Sequence, residues 1–284
     1  MVLLYDGMER CRVMASSSNE ALISVRNVSV SFGSKRVLDN INLDVYRGET
    51  LALLGGSGSG KTTLLKQVLG LMKPDTGSIW IHGVDITTCT PSELNTVRRN
   101  MGAAFQEAAL FNSLSIDANV ALPLQELTQL ADSTIKLAVW IKLWAVGLAD
   151  CGRLYPNELS GGMRKRAAIA RAMALDPEIL VFDEPSAGLD PIVAAGLDEL
   201  ILFLKQTLGI TILVVTHSME SAFRIADRLA MLYQGHLIAV DHKDQFVLET
   251  HPRIRQFLDR KPDPAPGGER GFMASYLREF QHEH

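Results

Sequence analysis

Apolar and polar residues alternate near the start of the chain. The segments LISVRNVSVSF (22–32) and VLDNINLDV (37–45) place apolar residues at every second position over most of their length. Such alternation is typical of strands that bury one face. The pattern therefore predicts an antiparallel β layer in the N-terminal part of the chain.

Three later runs are apolar at nearly every position, namely TLALL (50–54), ILVFD (179–183) and ITILVVT (210–216). Short runs of this kind are typical of parallel strands buried on both faces, and helix-like segments lie between them. The chain between the first two runs is far longer than one βα unit needs, and STIKLAVWIKLWAVGLADCG (133–152) within it has a helical pattern. The prediction is an α/β fold whose mixed sheet core carries an inserted helical subdomain.

These patterns predict three regions. Residues 21–246 form one domain, with the helical subdomain at about 107–172. Residues 1–20 are predicted to be a disordered tail that resembles neither a secretory nor a transit signal, and translation could start at Met1 or Met14. Residues 247–284 are predicted to be an extension with a Pro/Gly linker (261–268) and a short amphipathic helix around FMASYLREF.

The segment GGSGSGKTT directly follows the run at 50–54 and precedes a helix-like segment. Its spacing is that of a phosphate-binding loop, in which glycine N–H groups converge on phosphate oxygens and lysine reaches the β- and γ-phosphates. A flexible turn would need neither Lys-Thr at this position nor a strand before it. We predict that nucleotide phosphates bind Gly55, Gly56, Ser57, Gly58, Ser59, Gly60, Lys61, Thr62 and Thr63, with Thr62 also a ligand of Mg²⁺.

Two carboxylates, Asp183 and Glu184, stand at the end of the apolar run in ILVFDEP (179–185). Asp183 can bind Mg²⁺ through its water shell, and Glu184 can polarise the water that attacks the γ-phosphate. A lone Asp-Glu pair after a strand is commonly just an acidic loop. The phosphate-binding loop upstream favours the catalytic interpretation.

A second helix start, in ELSGGMRKRAAIARAMALDP (158–177), begins with a serine and two glycines. Backbone N–H groups at such a start also suit phosphate. A single nucleotide hardly needs two phosphate-binding helix N-termini from the same subunit. We therefore expect the second start to face a nucleotide held by another copy of the chain.

With these motifs in this order, the chain resembles the ATP-binding cassette (ABC) ATPases over residues 22–245. The resemblance implies that Phe32 stacks on adenine, that Gln106 senses Mg²⁺ and the attacking water, and that His217 contacts the γ-phosphate. It makes Ser160, Gly161 and Gly162 the signature, and it places Asp190 among the ATP-binding residues. The implied catalytic residues are Glu184, His217, Gln106 and Lys61, and the implied metal ligands are Thr62, Gln106 and Asp183.

Two motifs depart from the pattern of that family. The usual LSGGQ reads LSGGM, with Met163 at the glutamine position, and the usual SALD reads AGLD at 187–190. The hydroxyl of Ser160 and the backbone N–H of Gly162 are kept. Side-chain contacts from the two altered positions are lost.

Within the family, FQEAALFNSLSIDANVALPL (105–124), ELSGGMRKRAAIARA and DEPSAGLDPI (183–192) resemble the ATPases of Mla/Mce-type lipid transporters. This narrower resemblance implies ATP and Mg²⁺ as cofactors, a second copy of the chain, membrane permease subunits and lipid-binding substrate proteins. It also implies a peripheral location on the cytoplasmic face of the bacterial inner membrane. The apolar residues after Gln106 are expected to help receive the permease, although about half of them could simply pack the helical subdomain. These residues are Leu110, Phe111, Leu114 and Ile116.

Composition narrows the remaining alternatives. The 28 basic and 32 acidic residues give a formal net charge of −4 with no dense basic block, so we expect no nucleic-acid partner. The three cysteines are far apart without metal-site spacing, and no apolar stretch reaches the length of a membrane span. Two alternatives stay open: an ABC ATPase that acts on a soluble assembly complex, and an importer ATPase for a small polar solute.

Overall fold

Two β-sheets organise the computed structural model, which describes residues 21–261. The strands are β1 (Ala21–Phe32), β2 (Lys35–Tyr46), β3 (Thr50–Leu54), β4 (Thr76–Ile81), β5 (Val84–Asp85), β6 (Met101–Ala104), β7 (Ile179–Asp183), β8 (Thr211–Val215), β9 (Arg228–Tyr233) and β10 (His236–His242). The helices are α1 (Lys61–Val68), α2 (Pro91–Arg99), α3 (Ile116–Leu127), α4 (Asp132–Ala145), α5 (Gly161–Ala172), α6 (Pro191–Leu208), α7 (Met219–Ile225), α8 (Lys243–Phe246) and α9 (Pro252–Leu258).

The first sheet has four strands in the order β2-β1-β4-β5. Strand β1 pairs antiparallel with both β2 and β4, and the apolar residues of the alternating pattern, such as Val25, Val28 and Val30, are buried. The predicted antiparallel layer is therefore confirmed.

The second sheet has six strands in the order β10-β9-β3-β8-β7-β6. Neighbours from β9 to β6 pair in parallel, and β10 joins the edge antiparallel to β9. All residues of β3, β7 and β8 are buried, as the three apolar runs predicted. Strand β6 was not predicted, because its four residues MGAA carry no β-branched or large apolar side chain except Met101.

Two apolar cores lie on opposite faces of the six-stranded sheet. One joins it to the antiparallel sheet and to Leu64, Leu65 and Val68 of α1. The other joins it to α3, α4, α5 and α6. The sheet is thus covered on both faces, and polar loops are confined to the strand ends.

The segment predicted as a helical subdomain contains α3, α4 and α5. Helix α5 starts at an N-cap, Ser160, and also packs in the core against β7. The subdomain is thus joined to the sheet through α5. Its bounds, like the other domain limits, remain predictions.

The C-terminal helices α8 and α9 pack on one face of the second sheet, over β3 and β9. Phe246 and Ile254 are fully buried in a cluster with Ala52 and Leu54 of β3 and Leu229 of β9. The predicted tail at 1–20, the linker beyond residue 261 and the amphipathic helix around 272–280 lie outside the described residues. Within residues 21–261, no helix is both long and apolar enough for a membrane span.

Candidate active site

The parallel register of the second sheet brings three loops to one edge. Leu53 of β3 pairs with Val215 of β8, and Val215 pairs in turn with Asp183 of β7. These residues form one row across the sheet, so the loops after all three strands start at the same level. In parallel sheets, ligands bind at this carboxyl edge.

The phosphate loop, residues 55–63, leads from β3 into α1, and two of its glycines, Gly55 and Gly60, could not be replaced by another residue without strain. Gly55 has φ +152°, and a Cβ there would lie 2.3 Å from the carbonyl oxygen of Leu232. Gly60 has φ +108°, and a Cβ there would lie 2.6 Å from a methyl carbon of Leu38. The loop is therefore pressed against β2 and β9, which fixes its path.

Lys61, the first residue of α1, folds back over this loop. Its Nζ donates to the carbonyl oxygens of Gly55 at 2.7 Å and Gly56 at 3.0 Å. Burial lowers the pKa of Lys61, while the carboxylates of Glu184 and Asp183 act in the opposite direction. The ammonium thus lies between the loop and the carboxylates, where it can contact a phosphate.

Asp183 is a buried carboxylate at the end of β7. Its Oδ1 has no hydrogen-bond partner among the described residues. Burial raises the pKa of Asp183, the neighbouring Glu184 raises it further, and Lys61 lowers it. An unpaired buried carboxylate oxygen needs a partner, and a divalent cation is the ligand that this chemistry fits.

Glu184 follows with φ 50°, a left-handed conformation, and its backbone N–H donates to the carbonyl oxygen of Val215 at 2.8 Å. Its Oε2 lies 2.8 Å from Nδ1 of His217, and the His217 N–H donates to the same oxygen at 3.3 Å. The Glu184 side chain is 12% exposed and that of His217 is 65% exposed. The histidine therefore holds the carboxylate in place and still reaches solvent.

Gln106 lies two residues beyond β6, at the same edge of the sheet. The residue is exposed. Its backbone carbonyl oxygen accepts a hydrogen bond from Nζ of Lys165 at 2.7 Å. Lys165 also donates to the carbonyl oxygen of Glu184 at 3.1 Å. Lys165 was not among the predicted site residues, because no motif marks a contact between a side chain and the backbone of distant segments.

The signature residues begin α5 next to the loop at 187–190. The Oγ of Ser160 accepts from the N–H of Met163 at 3.3 Å, which makes Ser160 the N-cap of α5. A Cβ at Gly162 would lie 2.5 Å from Val193 of α6, so this glycine allows α5 and α6 to approach. Asp190 caps α6, since its Oδ1 accepts from the N–H groups of Ile192 and Val193 at 3.1 Å each.

The remaining predicted residues are arranged around the phosphate loop. Gly56, Ser57, Gly58 and Thr62 are exposed, Thr63 is half-buried, and the Oγ of Ser59 is buried without a partner among the described residues. Phe32 ends β1 with 52% of its surface exposed, and β2 leads from that hairpin to Leu38, which packs beside Gly60. An exposed aromatic ring suits stacking on a nucleotide base.

The structure brings some of the predicted residues together and keeps others apart. Lys61, Asp183, Glu184 and His217 form one cluster at the carboxyl edge. Gly161 instead lines a cavity of about 260 Å³ with Gln106, Lys165 and Leu189, and no phosphate-loop residue lines it. A larger cavity of about 700 Å³ lies between α3 and α4, and its lining contains none of the predicted site residues.

Comparisons with known proteins identify the family. Residues 38–187 match the family described as ABC transporter. The chain is 43% identical over 246 residues to the intermembrane phospholipid transport system ATP-binding protein MlaF of Escherichia coli K12, covering 86% of this chain and 91% of MlaF. The chain belongs to the ABC transporter ATPases.

Another relative and two solved structures are also ATP-binding or transporter proteins. The chain is 42% identical over 237 residues to the probable ribonucleotide transport ATP-binding protein mkl of Mycobacterium leprae, covering 84% of this chain and 68% of mkl. A dimeric ATP-binding cassette bound to ADP and phosphate in a post-hydrolysis state aligns with a TM-score of 0.72 and 30% identity, over 78% of this chain and 98% of that one. A part of the cbiONQ transporter complex of Clostridium perfringens aligns with a TM-score of 0.75 and 27% identity, over 84% and 99%.

Membership in this family settles the fold class and the general activity of the cassette. The predicted α/β fold with its antiparallel layer is confirmed, and the chain binds and hydrolyses ATP to energise a transporter. The roles of individual residues remain proposals, which rest on the geometry described above.

The position of Lys61 gives a test of the phosphate loop. We expect Lys61→Ala to weaken ATP binding roughly 10-fold or more, because charged hydrogen bonds to the phosphates are lost. Isothermal titration with a nonhydrolysable ATP analogue measures the change. Lys73→Ala, an exposed lysine outside the loop, is the matched control and should bind normally; unchanged affinity in Lys61→Ala would contradict the assignment.

Proposed function

We propose that the chain energises the movement of phospholipid, or of another hydrophobic cargo, through a membrane permease. The observation that carries the proposal is the 43% identity to a phospholipid transport ATP-binding protein over 91% of its length. Such coverage leaves little of MlaF without a counterpart here. The cassette then acts at the cytoplasmic face of a bacterial inner membrane as a peripheral subunit, with lipid-binding substrate proteins in the same complex.

A second candidate cargo is polar. The mycobacterial relative is a probable ribonucleotide transport ATP-binding protein with nearly the same identity, 42%. The chain covers 68% of that relative against 91% of MlaF, so the lipid relative is matched more completely. We therefore rank the phospholipid cargo first and keep the polar cargo as the alternative.

In the proposed mechanism, Glu184 acts as the general base at the γ-phosphate. It accepts the proton that water loses as the oxygen bonds to the γ-phosphorus, while the bond from the γ-phosphorus to the β–γ bridging oxygen breaks. The contact with Nδ1 of His217 orients the Glu184 carboxylate. The exposed Nε2 would donate to a γ-phosphate oxygen from a doubly protonated imidazole, since a neutral ring has only one N–H. Lys61 and the N–H groups of the phosphate loop hold the transferring phosphate.

Asp183, Thr62 and Gln106 are the residues assigned to hold Mg²⁺. The unpaired Oδ1 of Asp183 is the structural reason for assigning the ion here. When bound, the ion neutralises charge on the phosphate oxygens. Phe32 is assigned to stack on the adenine ring, which requires its exposed position at the end of β1.

A second copy of the chain would complete the site. Ser160 is exposed, and the signature lines a cavity that lacks phosphate-loop residues. A similar cassette is described as a dimer bound to ADP and phosphate. We propose that Ser160, Gly161 and Gly162 contact the nucleotide held by the partner copy, with Asp190 fixing the adjacent start of α6.

The apolar segment after Gln106 is the proposed contact with the permease. Phe111 is 51% exposed, whereas Ile116 is fully buried and Leu110 packs against the helical core. Packing therefore accounts for part of the segment, and Phe111 is the side chain that is available to a partner. This position, five residues from Gln106, links the permease contact to the nucleotide site.

Removal of the base provides the first test. Glu184→Gln should lower kcat for ATP hydrolysis by roughly 100-fold or more while ATP still binds, because the amide cannot accept the proton. Steady-state phosphate release and analogue titration measure the two quantities. Glu178→Gln, at the opposite end of β7, is the matched control; a Glu184→Gln variant with near wild-type turnover would remove Glu184 from the role.

The cargo can be tested on the native complex. We expect the full-length chain, purified in detergent with its natural partners, to retain permease subunits and phospholipid identified by mass spectrometry. An ATP-dependent transfer of labelled phospholipid in proteoliposomes should follow. A permease complex that carries labelled ribonucleotide and no lipid would support the polar alternative, and a complex without any permease would contradict both.

Charge placed at Phe111 tests the coupling. Phe111→Glu should leave ATP binding within about twofold of wild type and lower ATP-dependent lipid transfer roughly 10-fold, because a carboxylate disrupts an apolar contact. Leu137→Glu, on the exposed face of α4, is a control for added charge at another exposed apolar residue of the helical subdomain. Full transport by Phe111→Glu in proteoliposomes would refute this contact.

A further inference from the structure

Helix α5 holds the segment 106–109 through two basic side chains. The Nζ of Lys165 donates to the backbone carbonyl oxygen of Gln106 at 2.7 Å. Arg171 donates to the carbonyl oxygens of Ala109 at 2.7 Å and Ala108 at 3.2 Å. Three carbonyl oxygens of one loop are thus bonded to the helix that the signature begins.

The segment needs such support because its backbone is strained. Ala108 has φ 61° and Ala109 has φ 50°, both in the left-handed region that alanine seldom adopts. Two consecutive residues of this kind persist only where neighbouring groups fix them. The hydrogen bonds from α5 are suited to do so, and they determine the direction in which the chain leaves Gln106.

Lys165 has a second contact that Arg171 lacks. Its Nζ also donates to the carbonyl oxygen of Glu184 at 3.1 Å, and Glu184 itself has a left-handed φ of 50°. Burial lowers the pKa of Lys165, while Glu107, Glu184 and Asp183 act in the opposite direction and favour the ammonium form. One ammonium group therefore joins the Gln106 loop, the Glu184 backbone and the signature helix.

We propose that Lys165 is a positioning residue for ATP hydrolysis. It fixes the backbone of Glu184 relative to the backbone of Gln106. Because Lys165 belongs to α5, which begins at Ser160, a shift of α5 would also move these two backbone segments. Lys165 acts through these backbones. The inference rests on the proposed roles of Glu184 and Gln106, and it predicts an effect on turnover with little effect on ATP binding.

Arg166 offers a matched comparison on the same helix. Its guanidinium donates to the carbonyl oxygens of Val146 and Gly196, each at 3.0 Å, so it also ties α5 to two other segments. Neither segment belongs to the proposed site. A loss of general packing should therefore affect variants at 165 and 166 alike, whereas a positioning role belongs to Lys165 alone.

The experiment compares Lys165→Met, Lys165→Arg and Arg166→Met in the full-length chain, with thermal unfolding as a check on folding. Lys165→Met should lower kcat roughly 10-fold or more and leave KM for ATP within about twofold. Lys165→Arg, which keeps a cationic donor, should recover at least about a third of wild-type kcat. Arg166→Met should lower the melting temperature and leave kcat per folded molecule unchanged.

Three results would overturn the inference: wild-type kcat in Lys165→Met, equal losses in Lys165→Met and Arg166→Met, or no recovery in Lys165→Arg. Glu184→Gln, assayed in parallel, separates this inference from the proposed function. If Glu184→Gln hydrolyses ATP normally, the assignment of the base fails whatever Lys165 does. If Glu184→Gln is inactive while Lys165→Met turns over normally, the base assignment stands and only the Lys165 inference fails.

Discussion

The register between β3, β8 and β7 is the constraint on which the rest of the site depends. Leu53, Val215 and Asp183 lie in one row across the sheet. The three strands are buried on both faces, so they pair in parallel only when their apolar segments lie side by side. A shift of one residue in any strand would turn its side chains to the opposite face and displace the loop that follows. The apolar runs thus fix the phosphate loop, the carboxylates and the His217 loop together.

The charged forms of Lys61 and Asp183 at this edge of the sheet stabilise each other because the two groups lie close together. Burial alone raises the pKa of Asp183 and lowers the pKa of Lys61, so each charged form is costly in isolation. Each group offsets part of the cost of the other. A variant that removes one charge therefore changes the others, and its kinetic effect is not additive with theirs.

Local patterns in the sequence predicted five of the ten described strands, namely β1, β2, β3, β7 and β8, and the phosphate loop, since each is encoded by contiguous residues. The glycines at 55 and 60 had to follow a buried strand, and the structure shows why no Cβ fits there. Strand β6 was missed because MGAA has no strand-like side-chain pattern. The links from Lys165 to Gln106 and Glu184 span 59 and 19 residues, so only the packed structure reveals them. The apolar pattern alone likewise did not show which side chains of the segment after Gln106 are buried. In the structure Ile116 is buried and Phe111 is exposed.

The cap at the start of α5 has a consequence for the proposed assembly of two copies. A serine hydroxyl has two lone pairs and one proton, and the bond from the Met163 N–H uses only a lone pair. The proton stays free to point outward, so Ser160 can terminate its own helix and donate to a neighbouring phosphate at the same moment. Engagement of a second nucleotide then requires no unwinding of the helix, because the cap on Met163 and the bond to phosphate use different parts of the same hydroxyl.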